Sequence, residues 1–396
     1  MSKVKLPKEE FFEYRNLGPL MLGLAAGGVV GLLVCLIGAL VSTKQFAFSW
    51  LAAFVFFFTI CVGSFFWVLV HYAVEAEWSV VVRRLLENLA GLFKWIWIFF
   101  IPIAIFHEQI YAWMTLAPGE DALLDNKAAL LNMPFFWVRV IFYFCFFGIM
   151  ALFYRRMSIK QDSNGDPFIT ARARGISFVT LPIFAVSLTL AAIDWLMALN
   201  HHWFSTMWGV YIFSGSALGA ICLLVIITTL LWNAGYLRNV ISLEHFHIMG
   251  KLMLAFTVFW AYIAFGQFFL IWYANIPEET VWFIKRNTGS WNALSIFMVV
   301  GHFFIPFLIL LFQSIKKKPA VLSGVACWLL FMHFVDIYIV VLPVLHPFGF
   351  KPSILDLAAF LAIGCPLALL FLQSLGKSSL FPARDPRLAK SIGIQN

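Results

Sequence analysis

DWLMALNHHWFSTMWGVYIFSGS, Asp194 to Ser216, joins two long apolar stretches, and its reading decides that of the whole chain. The stretch before it runs from about Ile176 to Leu199, which puts Asp194 some five residues inside, about 8 Å from the exit at 1.5 Å per residue. An ionisable group at that depth costs about 3 kcal/mol on insertion scales, so it faces a bundle interior and has a partner. His201, His202 and Trp203 follow where the chain leaves the bilayer and turns back, and polar chemistry meets an interfacial aromatic belt there.

Hydrophobic residues make up 62% of the 396, charged residues 12%, and mean hydropathy is +0.91, which excludes a soluble domain. Ten windows are long enough to cross about 30 Å of hydrocarbon as helices: 18–42, 48–74, 88–111, 134–155, 173–199, 206–233, 248–274, 291–314, 318–345 and 354–376. The fold class is therefore an all-α polytopic membrane protein with ten transmembrane helices. Residues 1–17 form a polar amino-terminal segment, 18–376 the membrane domain and 377–396 a tail. Nineteen Lys and Arg flank the spans on the side of the termini and five on the other, so the positive-inside rule puts both termini in the cytoplasm. The net charge of +8 follows from that asymmetry, and the runs Arg155-Arg156 and Lys316 to Lys318 read as topology and lipid contacts, not as a nucleic-acid surface. No small-residue cleavage site precedes the first span, so no processing is expected. The six cysteines fall inside apolar spans without CxxC or CxxCH spacing and read as small core residues, so the chain itself is expected to hold no metal, cluster or haem.

Span 1 is rich in glycine, and the spacing of Gly23 and Gly27 suits close helix packing. Span 2 ends with Trp67, His71 and Glu75 at four-residue steps on one face, an interfacial cap or a proton entry. Span 3 carries Lys94 about six residues in and His107 and Glu108 near its outer end. Arg139 in span 4 lies at a depth similar to Asp194. Glu244, His247 and Lys251 share one face at the cytoplasmic end of span 7, and Gln267 lies further along it. His302 in span 8, and His333 with Asp336 in span 9, stand near mid-bilayer, while span 10 with Asp356 reads as a packing helix. Buried polar groups thus recur on the second and fourth helices of two blocks, spans 2 to 5 (48–199) and spans 6 to 9 (206–345). That repetition predicts two four-helix bundles flanked by spans 1 and 10.

The strings DWLM…HHWFSTMWGVY (Asp194 to Tyr211), SLEHFHIMGKLM (Ser242 to Met253) and FTVFWAYIAFGQFFLIWYANIPEETVWF (Phe256 to Phe283) resemble a polytopic subunit of bacterial alternative complex III, a quinol:electron acceptor oxidoreductase. Its large membrane subunits belong to the polysulfide-reductase membrane-subunit (NrfD-like) family, and the short loops are most similar to the second, F-type copy. The resemblance implies two four-helix bundles in a bacterial inner membrane and no prosthetic group on this chain. It further implies menaquinol or ubiquinol as the small molecule and proton translocation coupled to its oxidation. The implied partners are a homologous ten-helix subunit, subunits bearing iron–sulfur clusters and haem c, and lipids.

A quinol headgroup needs a base and a hydrogen-bond donor near the membrane surface, and His107, Glu108, Arg139, Asp194, His201 and His202 supply those types at one end. His71, Glu75, Lys94, Glu244, His247, Lys251, His302, His333 and Asp336 are the candidates for a proton path. Three other readings compete. A di-haem cytochrome b needs facing histidine pairs, of which His302 and His333 make one at most. A secondary transporter would share the buried acids and duplicated bundles, though few broken helices occur at matching positions. In a scaffold subunit the buried charges would only pair and pack.

Overall fold

The computed structural model describes residues 7–14 and 17–394, so positions 1–6, 15 and 16 of the amino-terminal segment and 395–396 of the tail lie outside the described residues. Among the described residues there is no strand, and ten helices are long and apolar enough to cross a membrane. The chain is an all-α, multi-pass membrane protein, as expected where each backbone N–H and C=O must be paired within its own segment.

The spans are Gly18–Val41, Thr43–Ala73, Glu77–Ile105, Met133–Asn164, Pro167–Asn200, Trp208–Asn233, Leu243–Ala274, Ser290–Leu311, Pro319–Val344 and Ile354–Leu375. Most boundaries fall within a few residues of the hydropathy windows. The larger differences sit at the end holding the termini, where helices run on past the apolar stretch. Spans 4 and 5 leave only Gly165 and Asp166 between them, in place of the loop expected from Arg155 to Phe168. Gly165 closes span 4 with a left-handed φ of 67°, and the Asp166 carboxylate accepts from the Phe168 amide to start span 5.

Spans 2 to 5 pack as one ring, 2 against 3 and 5, 3 against 4, and 4 against 5; spans 6 to 9 form a second, 6 against 7 and 9, 7 against 8, and 8 against 9. Spans 2 and 6 also pack on each other, and they are the most enclosed helices with span 9, 83% and 72% buried against 22% for span 1. At their crossing a Cβ on Gly63 would lie 1.9 Å from the Ser216 carbonyl oxygen, so only glycine allows that approach. Spans 1 and 10 pack together and onto span 2. Their close contact falls at Gly31, where a Cβ would meet the Ala358 carbonyl at 2.6 Å, and not at Gly23, beside which there is open space.

Span 3 departs most from its window. It begins eleven residues earlier, and Val80–Ala90 is wholly buried, including Arg83, Arg84, Glu87 and Asn88. A hydropathy window counts those charges as solvated, whereas here they compensate one another inside the protein. The helix is then interrupted, by a 3₁₀ turn at Trp97–Phe100 and by Pro102 at the next helical start. The tail folds back on this region: the Leu380 amide donates to the Glu10 carbonyl, and Leu380, Phe381 and Leu388 are buried, which puts both termini at one end of the bundles.

Candidate functional site

In the second bundle Asp336 is buried among spans 6, 7 and 9. The Tyr211 hydroxyl donates to its Oδ1, and the Trp260 indole N–H donates to Oδ2 at 3.0 Å. Both donors are neutral, so no cation shares the carboxylate's hydrogen bonds. His302 lies in a π-helical turn, Val299–Phe304, with its ring 3.9 Å from that of Trp260. Both its nitrogens are buried without a hydrogen-bond partner among the described residues. His333 is one turn before Asp336. Its Nε2 lies 2.9 Å from Thr59 Oγ1, and the Thr59 hydroxyl gives its only proton to the Phe56 carbonyl at 2.7 Å. The threonine oxygen must therefore accept from His333 Nε2–H, which leaves Nδ1 with a bare lone pair. That lone pair has no partner among the described residues, and it borders Gly215, where a Cβ would come within 3.1 Å of it and 3.9 Å of Asp336 Oδ2. Span 6 thus carries glycine where the histidine and the acid share one space. Gln267 follows Trp260 by two turns and is buried, with its amide nitrogen unpaired among the described residues.

The first bundle treats its acid differently. Arg139 forks onto Asp194, Nη2 donating to Oδ1 at 2.6 Å and Nε to Oδ2 at 2.8 Å, and Tyr143, one turn on, donates its hydroxyl to Oδ2 at 2.7 Å. The pairing expected from equal depth is present. His107 does not join it: Nδ1 donates to the Ala104 carbonyl at 2.9 Å, and the ring meets Trp137 edge-on. Glu108 is exposed. His201 and His202 turn away to Asp121, at 2.9 and 2.6 Å from one carboxylate oxygen. Hydrogen bonds from His202 and His201 hold the Asp121 carboxyl well below the usual range. The six residues expected to make one quinol site are therefore divided among an ion pair, a packed histidine, a surface acid and a separate cluster.

The proton-path candidates at the end of the termini are also dispersed. His71 is buried between the rings of Trp67 and Trp78. Glu75 leaves its face because span 2 ends at Ala73; with φ of 51° it turns outward to Arg174, 3.1 Å away. Lys94 is exposed, its ammonium 4.8 Å from the centre of the Trp95 ring, so it is not the buried group expected. Glu244 takes Lys317 at 2.5 Å, His247 stands 3.7 Å away, and Lys251 is exposed.

Two features had no counterpart in the sequence reading. Arg83 bridges Glu87 and Asp385, Arg84 bridges Glu87 and Asp162, and Arg387 closes on Asp385, three cations and three anions in one cluster. Arg286, expected in a loop, is buried at the opposite end, donating to the carbonyls of Trp282 and Val340, with its Cζ 3.0 Å from the centre of the Trp282 ring. Trp282 touches Trp208, which stacks on Tyr211, so an aromatic column runs from that arginine to the donor of Asp336. The pattern WFIKR, with an arginine four residues after a tryptophan, was the available signal.

A cavity of about 710 Å³ opens beside spans 2, 8, 9 and 10, lined by phenylalanines 56, 57, 297, 331, 334 and 360. Its polar wall is Asp356, which accepts from Tyr338, Ser49 and the Ser353 amide. Span 10, expected to be a packing helix, packs on spans 1 and 2 and also lines this cavity. No protein-family model matches the chain, and no curated protein matches it.

Proposed function

We propose that the chain is an integral membrane subunit of a quinol-oxidising respiratory complex of the alternative complex III type, and that its second bundle moves protons. The observation that carries the proton reading is Asp336, a buried carboxylate whose hydrogen-bond donors are a phenol and an indole. Such an acid changes charge without breaking an ion pair. His333, with its Nδ1 lone pair beside the same glycine, is the neighbouring group able to take a proton, and His302 and Tyr211 extend the polar set to either side. The resemblance in three strings supports the respiratory setting and the partners named with it.

The quinol part of this reading attaches to the 710 Å³ cavity in place of Asp194. Arg139 holds Asp194 in a buried ion pair, whereas the cavity offers aromatic walls for an isoprenoid chain and, in its wall, Asp356 with uncharged donors such as Tyr338 for a headgroup.

The deciding experiment reconstitutes the complex in vesicles with Asp336→Asn or His333→Ala. Protons moved per electron should fall well below wild type while electron transfer persists. Equal loss of both, with poor assembly, would retire the proton path and favour a packing role.

A further inference from the structure

The cluster at the end away from the termini is used by neither bundle, and its donor set is that of a metal site. Asp121 belongs to the connection between spans 3 and 4, and His201 and His202 to the turn between spans 5 and 6, about 80 residues on. Both Nε2 atoms converge on Asp121 Oδ2, and the three ligand atoms lie within 4.8 Å of one another. The convergence is built by the backbone. Asp121 Oδ1 accepts the amides of Leu123 and Leu124 at 2.9 and 3.2 Å as the cap of the short helix that follows, which leaves Oδ2 to face the histidines. From the same connection the Lys127 ammonium donates to the His201 carbonyl at 2.5 Å and holds the histidine turn against the aspartate. The two rings meet at 67° with centres 4.3 Å apart, so their nitrogens point inward instead of stacking past each other.

We propose that Asp121, His201 and His202 bind one divalent transition-metal ion, zinc foremost, through Oδ2 and the two Nε2 atoms, with a fourth position open on the exposed side of His202. Bonds of about 2.0–2.1 Å in a tetrahedral site set ligand atoms roughly 3.3 Å apart. The present 2.6 and 2.9 Å therefore need to widen by about 0.7 and 0.4 Å. In the ion-free state each imidazole N–H fills the space by donating to the carboxylate, and on binding each neutral ring shifts that proton from Nε2 to Nδ1, which frees the Nε2 lone pair for the metal. Two imidazoles with one carboxylate favour zinc and its transition-metal neighbours over magnesium or calcium, which want oxygen. The ion would join the two connections on the outer face of the first bundle, beside a cavity of about 280 Å³ lined by Lys127, His201, Trp203 and Phe204. Spacing along the chain pointed away from a metal because Asp121 is remote from the histidine pair and the fold alone unites them.

The test uses the full chain in detergent without a polyhistidine tag, stripped with EDTA and titrated with zinc chloride by calorimetry, with elemental analysis after desalting. The expected result is one zinc per chain and an X-ray absorption shell of nitrogen and oxygen at about 2.0–2.1 Å. His202→Ala, at an exposed side chain and so neutral for folding, should weaken binding at least tenfold, by analogy with the 10- to 100-fold loss from outer partners. His201→Ala and Asp121→Asn should do the same, while His107→Ala at the same end of the membrane should not. Zinc content no higher in wild type than in the His201→Ala/His202→Ala double variant would overturn the proposal. Binding that survives His202→Ala unchanged would overturn it as well.

Discussion

Asp194 and Asp336 are the same residue in comparable places, each buried within the last third of the final helix of its bundle, yet they are held in opposite ways. The first is clamped by both arms of an arginine and a tyrosine; the second has a tyrosine and an indole. A bidentate arginine ties the carboxylate into an ion pair that joins spans 4 and 5, so removing either charge breaks that joint. Neutral donors fix position without fixing charge. Burial of an acid in a membrane protein is thus insufficient to mark a working group; its hydrogen-bond partners decide.

The sharpest way to break this comparison is to remove the arginine. Arg139→Leu leaves the Asp194 anion buried with Tyr143 alone, and loss of one partner of a buried pair costs about 3–5 kcal/mol. Thermal unfolding in detergent should show a larger destabilisation than any single substitution at either acid, and adding Asp194→Leu should restore most of it, because the paired removal leaves no orphan charge. Similar stabilities for the single and double variants would mean that the fork contributes little.

A second prediction moves to the tail, where burial alone would raise the Asp385 carboxyl but Arg83 and Arg387 outweigh it and pull it down to about 2. The unfolded value is near 3.9, so the folded state is favoured wherever the carboxylate is ionised. By linkage that contribution, roughly 2 kcal/mol, is fully present above about pH 5 and lost as pH falls from there through about 2. Pepsin cuts in this range of pH and prefers sites such as the buried Leu380-Phe381. Cleavage there should be slow at pH 4 and fast at pH 2, and Asp385→Asn should make it fast at both. Equal rates for wild type and variant at pH 4 would separate tail docking from this cluster.

These charges also show what a sequence can and cannot reveal. Ten spans, their grouping in two blocks and the pairing of Arg139 with Asp194 were legible because apolar length and equal depth are properties of the chain read in one dimension. Arg83, Arg84 and Arg286 were counted as loop cations because their counter-groups, Asp385, Asp162 and the carbonyl of Val340, lie from 54 to 302 residues away. The break at Ala73 that turned Glu75 outward, and the outward facing of Lys94, depend on where neighbouring helices stop. Asp121 was invisible as a partner of His201 and His202 for the same reason.

A milder test compares the two acids by the same isosteric change. Asp194→Asn strands the Arg139 guanidinium but leaves it one amide oxygen, so it should cost about 3 kcal/mol, the lower figure for a broken buried pair. Asp336→Asn keeps one acceptor oxygen for Tyr211 or Trp260 and turns an amide toward the other donor, so it should cost about 1–2 kcal/mol, the loss of one buried hydrogen bond. Chemical denaturation of the two variants side by side gives the ratio, and equal costs would remove the distinction between a clamped and an unclamped carboxylate.

The smallest effect is expected at His302. Its ring is stacked 3.9 Å from Trp260, and both nitrogens are buried with no hydrogen-bond partner among the described residues. His302→Phe keeps an aromatic ring against the indole and removes two polar atoms whose desolvation nothing offsets, so the stacking is retained and a penalty is relieved. The larger ring has to fit the π-helical turn that carries the histidine, and the strain of fitting it opposes that gain. The two terms are each about 1 kcal/mol, so the change in stability should stay within about 1 kcal/mol of zero. If His302 is kept only for packing, the variant moves protons as the wild type does. If it belongs to the set around Asp336, the same well-folded variant loses proton transfer, because the ring lies against the indole that donates to the acid.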